Sequence, residues 1–292
     1  MSIARSKLLA PWRYRANRRF GEAACMVLGL VLIIWSLAPI YNMIVIALSE
    51  HGDIFSGTIW PEHPNLDSFY VVFTEGFWYL ENFWHQFGNS LYIGCSTTLL
   101  TALVASLASF AMGRMGLSKS SLQTNAGLLT YAIPASFMIV PYYRVMHGYG
   151  LLGSHWSVIA AQVAFATPFA LLVLQLYARL IPLELDEAAR LDGASAAQIY
   201  LRIYLPLMAP ALAAIAIYSM LMSWNDYVYQ FVLLSPQNMS ASVMQAHLFT
   251  DADAQWNAMM AAAIIYALPP FALFFALRRY MTTGLTLWGA AG

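Results

Sequence analysis

Long apolar runs separated by short polar segments set the plan of this 292-residue chain. Six such runs stand out: Ala23–Leu48, Ser90–Met112, Asn125–Met146, Trp156–Tyr177, Pro210–Leu234 and Asn257–Tyr280. A helix needs about 20 residues to cross a hydrocarbon layer about 30 Å thick, and every run reaches that length. The pattern predicts an all-α integral membrane protein with six transmembrane helices, forming a single domain over residues 1–292. In the second run, Gly94, Ala102, Ala105, Ser106, Ala108 and Ser109 are small enough for close helix packing. Prolines at 39, 134, 141, 168, 269 and 270 interrupt the runs. Each fits either a gating hinge or a packing kink whose freed carbonyls are satisfied by neighbours.

The exception to this apolar plan lies between the fourth and fifth runs. Glu184, Asp186, Glu187 and Asp192 gather there with Arg190 and Arg202. Pro182 suits a first helical turn, where its missing N–H costs nothing. The acids after it complement the positive end of the helix dipole, and Asp186 and Arg190 are spaced as an i,i+4 pair. Gly193 stands where a helix ends in the left-handed conformation. Ser195 and Gln198 have capping-box spacing and start a second helix, whose Ile199 and Ile203 repeat on one face until Pro206. The reading is a helix–glycine–helix hairpin between two spans. Ala188, Ala189 and Ala194 leave room for a partner to approach.

Charge orients the chain. Composition is 60% hydrophobic and 10% charged, against about 25% charged in a soluble domain. Basic residues cluster in the tail 1–19 (Arg5, Lys7, Arg13, Arg15, Arg18, Arg19), at Arg114 and Lys119, in the hairpin region, and at Arg278 and Arg279. Arg144 alone falls elsewhere, where snorkelling to the outer interface or meeting an anionic solute would account for it. The positive-inside rule then puts both termini and the hairpin in the cytoplasm. Residues 1–19 are expected to be a solvated, disordered basic tail, and 281–292 a short cytoplasmic tail. The loops Glu50–Gln86 and Ser235–Trp256 carry acids but no Lys or Arg. The balanced net charge of +0 gives no case for a nucleic-acid partner. Cys25 and Cys95, the only two cysteines, lie in apolar runs and read as small core residues. No Cys/His metal spacing is present, and no GxxxxGK[ST] phosphate loop, so the chain does not hydrolyse ATP itself.

Glu187, Ala188, Ala189, Gly193, Ile203, Leu205 and Pro206 fill the pattern EAA, three residues, Gly, nine residues, Ile, one residue, Leu-Pro. On these residues the hairpin resembles the EAA loop of permease subunits of binding-protein-dependent ABC importers. The segments NSLYIG (89–94), GLLGSHWSVI (150–159) and SWNDYVYQFVLL (223–234) are similar to those of the carbohydrate-uptake branch, its MalG-type subunits in particular. The tail GLTLWGAAG departs from that branch's lysine-ending stretch.

The resemblance implies a type I importer permease fold in a bacterial inner membrane, with the cytoplasmic loop 182–206 as the coupling hairpin. Glu187, Ala188, Ala189, Asp192, Gly193, Ile203, Leu205 and Pro206 would then form the ATPase-coupling site. The implied partners are a second homologous permease, a dimer of ATP-binding subunits that carry ATP and magnesium, a periplasmic solute-binding protein, a carbohydrate substrate and membrane lipid. No cofactor is implied in this chain. In this picture Glu187 pairs with a basic residue of the ATPase, Gly193 keeps the bend, and Pro206 passes motion to the fifth span.

The fifth run contains the sharpest anomaly, Trp224-Asn225-Asp226-Tyr227. A carboxylate in mid-span costs about 2.5–3.5 kcal/mol on insertion scales. Asn225, Asp226 and Tyr227 either line a substrate path or cap a break in the span. Asn89 has the same two readings, a path residue or the cap of the second span. Within the importer class, the closest rival to a sugar is another solute (a polyol, a sugar phosphate, a polyamine). A secondary transporter would show several intramembrane ionisable groups and an inverted repeat, and a membrane enzyme a convergent acid/base or metal constellation. The sequence offers one good candidate, Asp226, and no obvious repeat or constellation.

Overall fold

The computed structural model describes residues 11–50, 57–114, 127, 129–248 and 255–289; their regular structure is helical, apart from one isolated bridge between Gly153 and Leu234. The helices in chain order are α1 (Pro11–Leu48), α2 (Asp67–Phe73), α3 (Phe83–Arg114), α4 (Ala135–Gly148) and α5 (His155–Ala178). They continue with α6 (Glu184–Leu191), α7 (Ala196–Leu207), α8 (Ala209–Trp224), α9 (Val228–Leu233), α10 (Ala241–Leu248) and α11 (Trp256–Gly289). Contacts divide the chain into two compact units. One contains α1, α2 and the start of α11 through Ile264; the other contains Glu75–Ala254 and α11 from Ile265.

In the first unit, α1 extends beyond the expected span. Its helix is described from Pro11 onward, so 11–19 are helical rather than a disordered tail. Residues 1–10 lie outside the described residues. The Asn65 amide donates to the Leu48 carbonyl (3.0 Å), and the Tyr41 hydroxyl donates to the Ile59 carbonyl.

The second unit is built on α3, α5 and α8. Close approach of α3 to α8 requires Gly94, where a Cβ would meet the Met220 sulfur at 3.0 Å and the Trp224 ring at 3.4 Å. Glu75 Oε1 accepts from the Trp84 amide in the first turn of α3 (3.1 Å), an anion at the positive end of the dipole. Trp224 and Tyr266 stack at 4.6 Å and exchange hydrogen bonds: indole Nε1 to the Tyr266 carbonyl (3.1 Å), and Tyr266 hydroxyl to the Trp224 carbonyl (2.8 Å). Near Pro168, the Tyr131 hydroxyl donates to the Phe165 carbonyl at 2.6 Å, the repair expected of a packing kink. Helices also run through Pro39, Pro141, Pro269 and Pro270.

Four described helices are long and apolar enough to cross a membrane: Gly21–Leu48, Trp78–Arg114, His155–Ala178 and Trp256–Met281. A fifth arises if α7 and α8, bent by 76° at Met208, count as one span. The expected third span is interrupted. A 3-10 turn (Leu129–Ala132) precedes Pro134, and α4 has 14 residues, a length of about 21 Å. Residues 125, 126 and 128, Lys119 and the acids Asp251 and Asp253 fall outside the described residues. The expected fifth span divides into α8 and α9 at Asn225–Tyr227. At the other end of the chain, α11 continues to Gly289 instead of yielding to a tail at 281. Cys25 and Cys95 are exposed, not core, because each lies on a helix face that the fold leaves uncovered.

Candidate functional site

The hairpin forms as its local chemistry dictates. Helix α6 opens with Glu184, Asp186 and Glu187 in its first turn and ends on a left-handed glycine, Gly193, at φ +82°. The Gly193 amide donates to the Arg190 carbonyl (3.0 Å) and the Ala194 amide to the Ala189 carbonyl (2.9 Å), the paired bonds of a Schellman stop. Helix α7 starts on a reciprocal capping box: the Gln198 amide donates to Ser195 Oγ (3.3 Å), and the Ser195 amide to Gln198 Oε1 (2.7 Å). Over Tyr200–Tyr204 the helix widens into a π turn, a distortion frequent at functional sites.

Two faces of the hairpin differ. Glu184, Glu187, Ala188, Asp192, Gly193 and Pro206 are exposed; Ala189, Ile203 and Leu205 are half-buried. Leu191, at 90% exposure, is the most uncovered large side chain of the hairpin. The opposite face is rooted on α3. The Tyr200 hydroxyl lies 2.8 Å from Ser106 Oγ, the Tyr204 hydroxyl donates to Ser109 Oγ (2.9 Å), and Phe110 packs against both rings. Asp186 does not take up the expected pair with Arg190. It is buried and turns to Arg114, the last residue of α3, with Oδ2 at 3.4 Å from Nε. Proximity in three dimensions outweighs the i,i+4 spacing, because the buried carboxylate needs a cation in the same apolar setting.

A second polar centre lies where α8 breaks. Gln162 on α5 accepts through Oε1 from Thr97 of α3 (3.0 Å) and Ser223 of α8 (2.7 Å), and donates through Nε2 to Asp226 Oδ2 (2.8 Å). Two hydroxyl donors and one carboxylate acceptor fix which way the amide points. Asp226 Oδ1 accepts from the Tyr229 amide in the first turn of α9 (3.3 Å). Gln230 Nε2 donates to the Ser223 carbonyl (2.8 Å), which also accepts from the Asp226 amide (3.3 Å). The single proton of Ser242 lies between Gln230 Oε1 (2.9 Å) and the Asp226 carbonyl (3.1 Å). Asp226 is thus held by donors on two elements and closes the break in the span.

The four path candidates therefore separate. Asp226 belongs to this internal network. Tyr227 is half-buried and stacks on Phe231 at 5.3 Å. Asn89 lies inside α3, not before it, so it is no helix cap; its Nδ2 donates to the Met239 carbonyl (3.0 Å). Asn225 is exposed, donates to the Leu221 carbonyl (2.9 Å), and lines a cavity of about 390 Å³. The cavity's other walls include Trp224, Tyr266, Phe271 and Phe274.

Sequence reasoning missed Gln162, Arg114, Tyr200, Tyr204 and Leu191. Gln162 carried a usable signal, an amide near the start of an otherwise apolar run. Arg114 was counted as one more loop cation.

The model of the family described as "binding-protein-dependent transport system inner membrane component" matches residues 16–286. The arabinooligosaccharides transport system permease protein AraQ of Halalkalibacterium halodurans is 29% identical over 259 residues, 87% of this chain and 91% of AraQ. The diacetylchitobiose uptake system permease protein DasC of Streptomyces coelicolor is 27% identical over 276 residues, 94% of this chain and 98% of DasC. Among solved structures, a chain of a bacterial ABC transporter involved in the import of the acidic polysaccharide alginate superposes with a TM-score of 0.75 at 19% identity. That match covers 91% of this chain and 98% of the other, and shows a shared fold.

Proposed function

This chain belongs to the family of binding-protein-dependent transport system inner membrane components, and from that premise we propose that it forms half of the translocation path of an ATP-driven carbohydrate importer. It is a permease, a transport component rather than an enzyme, with the fold of type I ABC importer permeases. The carbohydrate class is supported by the relatives, whose names specify arabinooligosaccharides and diacetylchitobiose. ATP and magnesium belong to a partner ATPase dimer, and a second permease and a periplasmic receptor complete the assembly. Six spans, with α4 belonging to the third, leave both termini and the hairpin in the cytoplasm.

The observation that carries the coupling role is the hairpin itself. Its bend is fixed by Gly193 and Ser195, and its outer face exposes Leu191 beside Glu187 and Asp192. An exposed leucine with Glu187 one turn before it and Asp192 next in the chain suits a cleft with an apolar floor and basic rim on the ATPase. Of the path candidates, Asn225 is the one we assign to substrate: one amide among aromatic walls is the make-up of a small-molecule pocket. Asp226, Tyr227 and Asn89 act behind it as supports.

The test is uptake by proteoliposomes holding the complete importer and its receptor. Accumulation of a labelled oligosaccharide that requires internal ATP and receptor supports the proposal. Uptake driven by an ion gradient without ATP would place the chain among secondary transporters.

A further inference from the structure

Arg114 occupies a singular place in the second unit. It is the last described residue of α3. Its side chain is 2% accessible, and its Nη2 donates to the Ile181 carbonyl (3.0 Å), with the Ala178 carbonyl at 3.5 Å. Those carbonyls belong to the exit of α5 and the link into the hairpin, where the Ala178 carbonyl also accepts from the Ile181 amide (3.2 Å). Nε faces Asp186 in the first turn of α6 at 3.4 Å. The Arg114 carbonyl accepts from Arg190 Nη2 in the last turn of α6 (3.3 Å). One residue thus holds the end of α5, the entry to the hairpin and both turns of α6.

We infer that Arg114 is a positioning residue through which displacement of the hairpin reaches α3, a route separate from the chain connection through Pro206 into α8. The inference rests on the coupling role proposed for the hairpin. Parting a buried carboxylate and guanidinium would expose an uncompensated charge, so α6 and the end of α3 stay linked as the hairpin moves. The same pair has latitude to shift. At 3.4 Å it is longer than a charge-assisted hydrogen bond, and neither Asp186 Oδ2 nor Arg114 Nη1 has a hydrogen-bond partner. A cavity of about 320 Å³, lined by Ser109, Gly113, Gln175 and Arg179, adjoins Arg114 and gives its side chain room to follow α6. Higher on α3, the bonds from Tyr200 to Ser106 and Tyr204 to Ser109 hold the second arm of the hairpin to the same helix. Both arms therefore act on α3, whose opposite half carries Thr97 and Gly94 in the packed centre.

The experiment is sugar transported per ATP hydrolysed, measured on the complete importer in proteoliposomes with its receptor. Arg114→Gln should lower that ratio at least tenfold in complexes that retain the ATPase. Arg114→Lys, which keeps the charge but not the fork, should recover part of it. Asp186→Asn should reproduce the Arg114→Gln loss, and the double variant should be no worse than either single one. An unchanged ratio in Arg114→Gln overturns the inference, as do losses that multiply in the double variant. Should Arg114→Gln fail to assemble, Asp186→Asn decides alone, an unchanged ratio being the contrary result. Absence of ATP-dependent uptake in the unsubstituted importer instead removes the proposed function.

Discussion

Gln162 Nε2 donates to Asp226 Oδ2 at 2.8 Å, so the acid that interrupts the fifth apolar run is bound to the middle of α5. The carboxylate faces protein, and each oxygen has a donor: Gln162 for one, the Tyr229 amide for the other. This contact makes the break between α8 and α9 a joint of fixed geometry, held from α5 and α3 at once.

Removing the hub of that joint is expected to be costly. Gln162→Leu leaves Asp226, Thr97 and Ser223 without their partner, and each orphaned polar group costs about 1–3 kcal/mol. Asp226→Asn should be milder than Asp226→Leu, since one amide oxygen can still accept from Tyr229 and the hydroxyls of Thr97 and Ser223 can reverse their roles. Thermal unfolding in detergent checks the order: Gln162→Leu and Asp226→Leu lowest, Asp226→Asn between them and the unsubstituted chain. Equal melting of all three variants would mean the network is not a structural joint.

The hairpin bend depends on backbone conformation more than on space. Nothing lies within 4 Å of a Cβ added at Gly193, yet its φ of +82° is strained for any side chain. Gly193→Val should cost at least about 1–2 kcal/mol locally, and Ser195→Ala about 1 kcal/mol through the lost cap. Because both act on the hairpin, transport should fall more than global stability in assembled complexes. Uptake at the unsubstituted rate by assembled Gly193→Trp importer would remove the lever.

Leu191 is expected to be an anchor for the ATPase. Its substitution by Glu removes no internal packing, since the side chain is 90% exposed. Affinity for the purified ATPase should drop about tenfold or more, as for a central interface residue worth at least about 1.4 kcal/mol. Binding measured by calorimetry in detergent reports it, with Leu201→Glu, at an exposed site on α7, as the comparison.

Asn225 is expected to tune substrate handling without supporting the fold. Asn225→Ala should raise the KM of uptake several-fold, while Asn89→Ala, which breaks the tie to Met239, should lower stability and leave KM near its original value. A KM unaffected by Asn225→Ala and by Phe271→Ala moves the path elsewhere.

Much of this was legible in the residues. The turn chemistry of Gly193, Ser195 and Gln198 acts over neighbouring positions, and the structure repeats it bond for bond. Apolar run length located α1, α3, α5 and α11 for the same reason. Their ends were less legible. Nothing in Arg13–Arg19 opposes helix, so α1 extends back to Pro11, and α11 runs on past Tyr280. Partners far apart in sequence stayed hidden: Asp186 had a plausible neighbour in Arg190, and only the fold brings Arg114 to it from 72 positions earlier. Asp226 announced itself by its cost in a span, but the direction it faces depends on Gln162, 64 residues away. The aromatic pocket likewise joins α8 to α11, which no local pattern could pair.

The proposed role of this permease depends on a separate ATPase. The most direct measurement is purification of the chain from its native membranes in mild detergent, with the co-purifying proteins identified by mass and counted. The account predicts one second permease and two ATPase subunits per copy, with the receptor joining when its sugar is present. A monodisperse preparation of this chain alone, still active in ion-driven uptake, would contradict it.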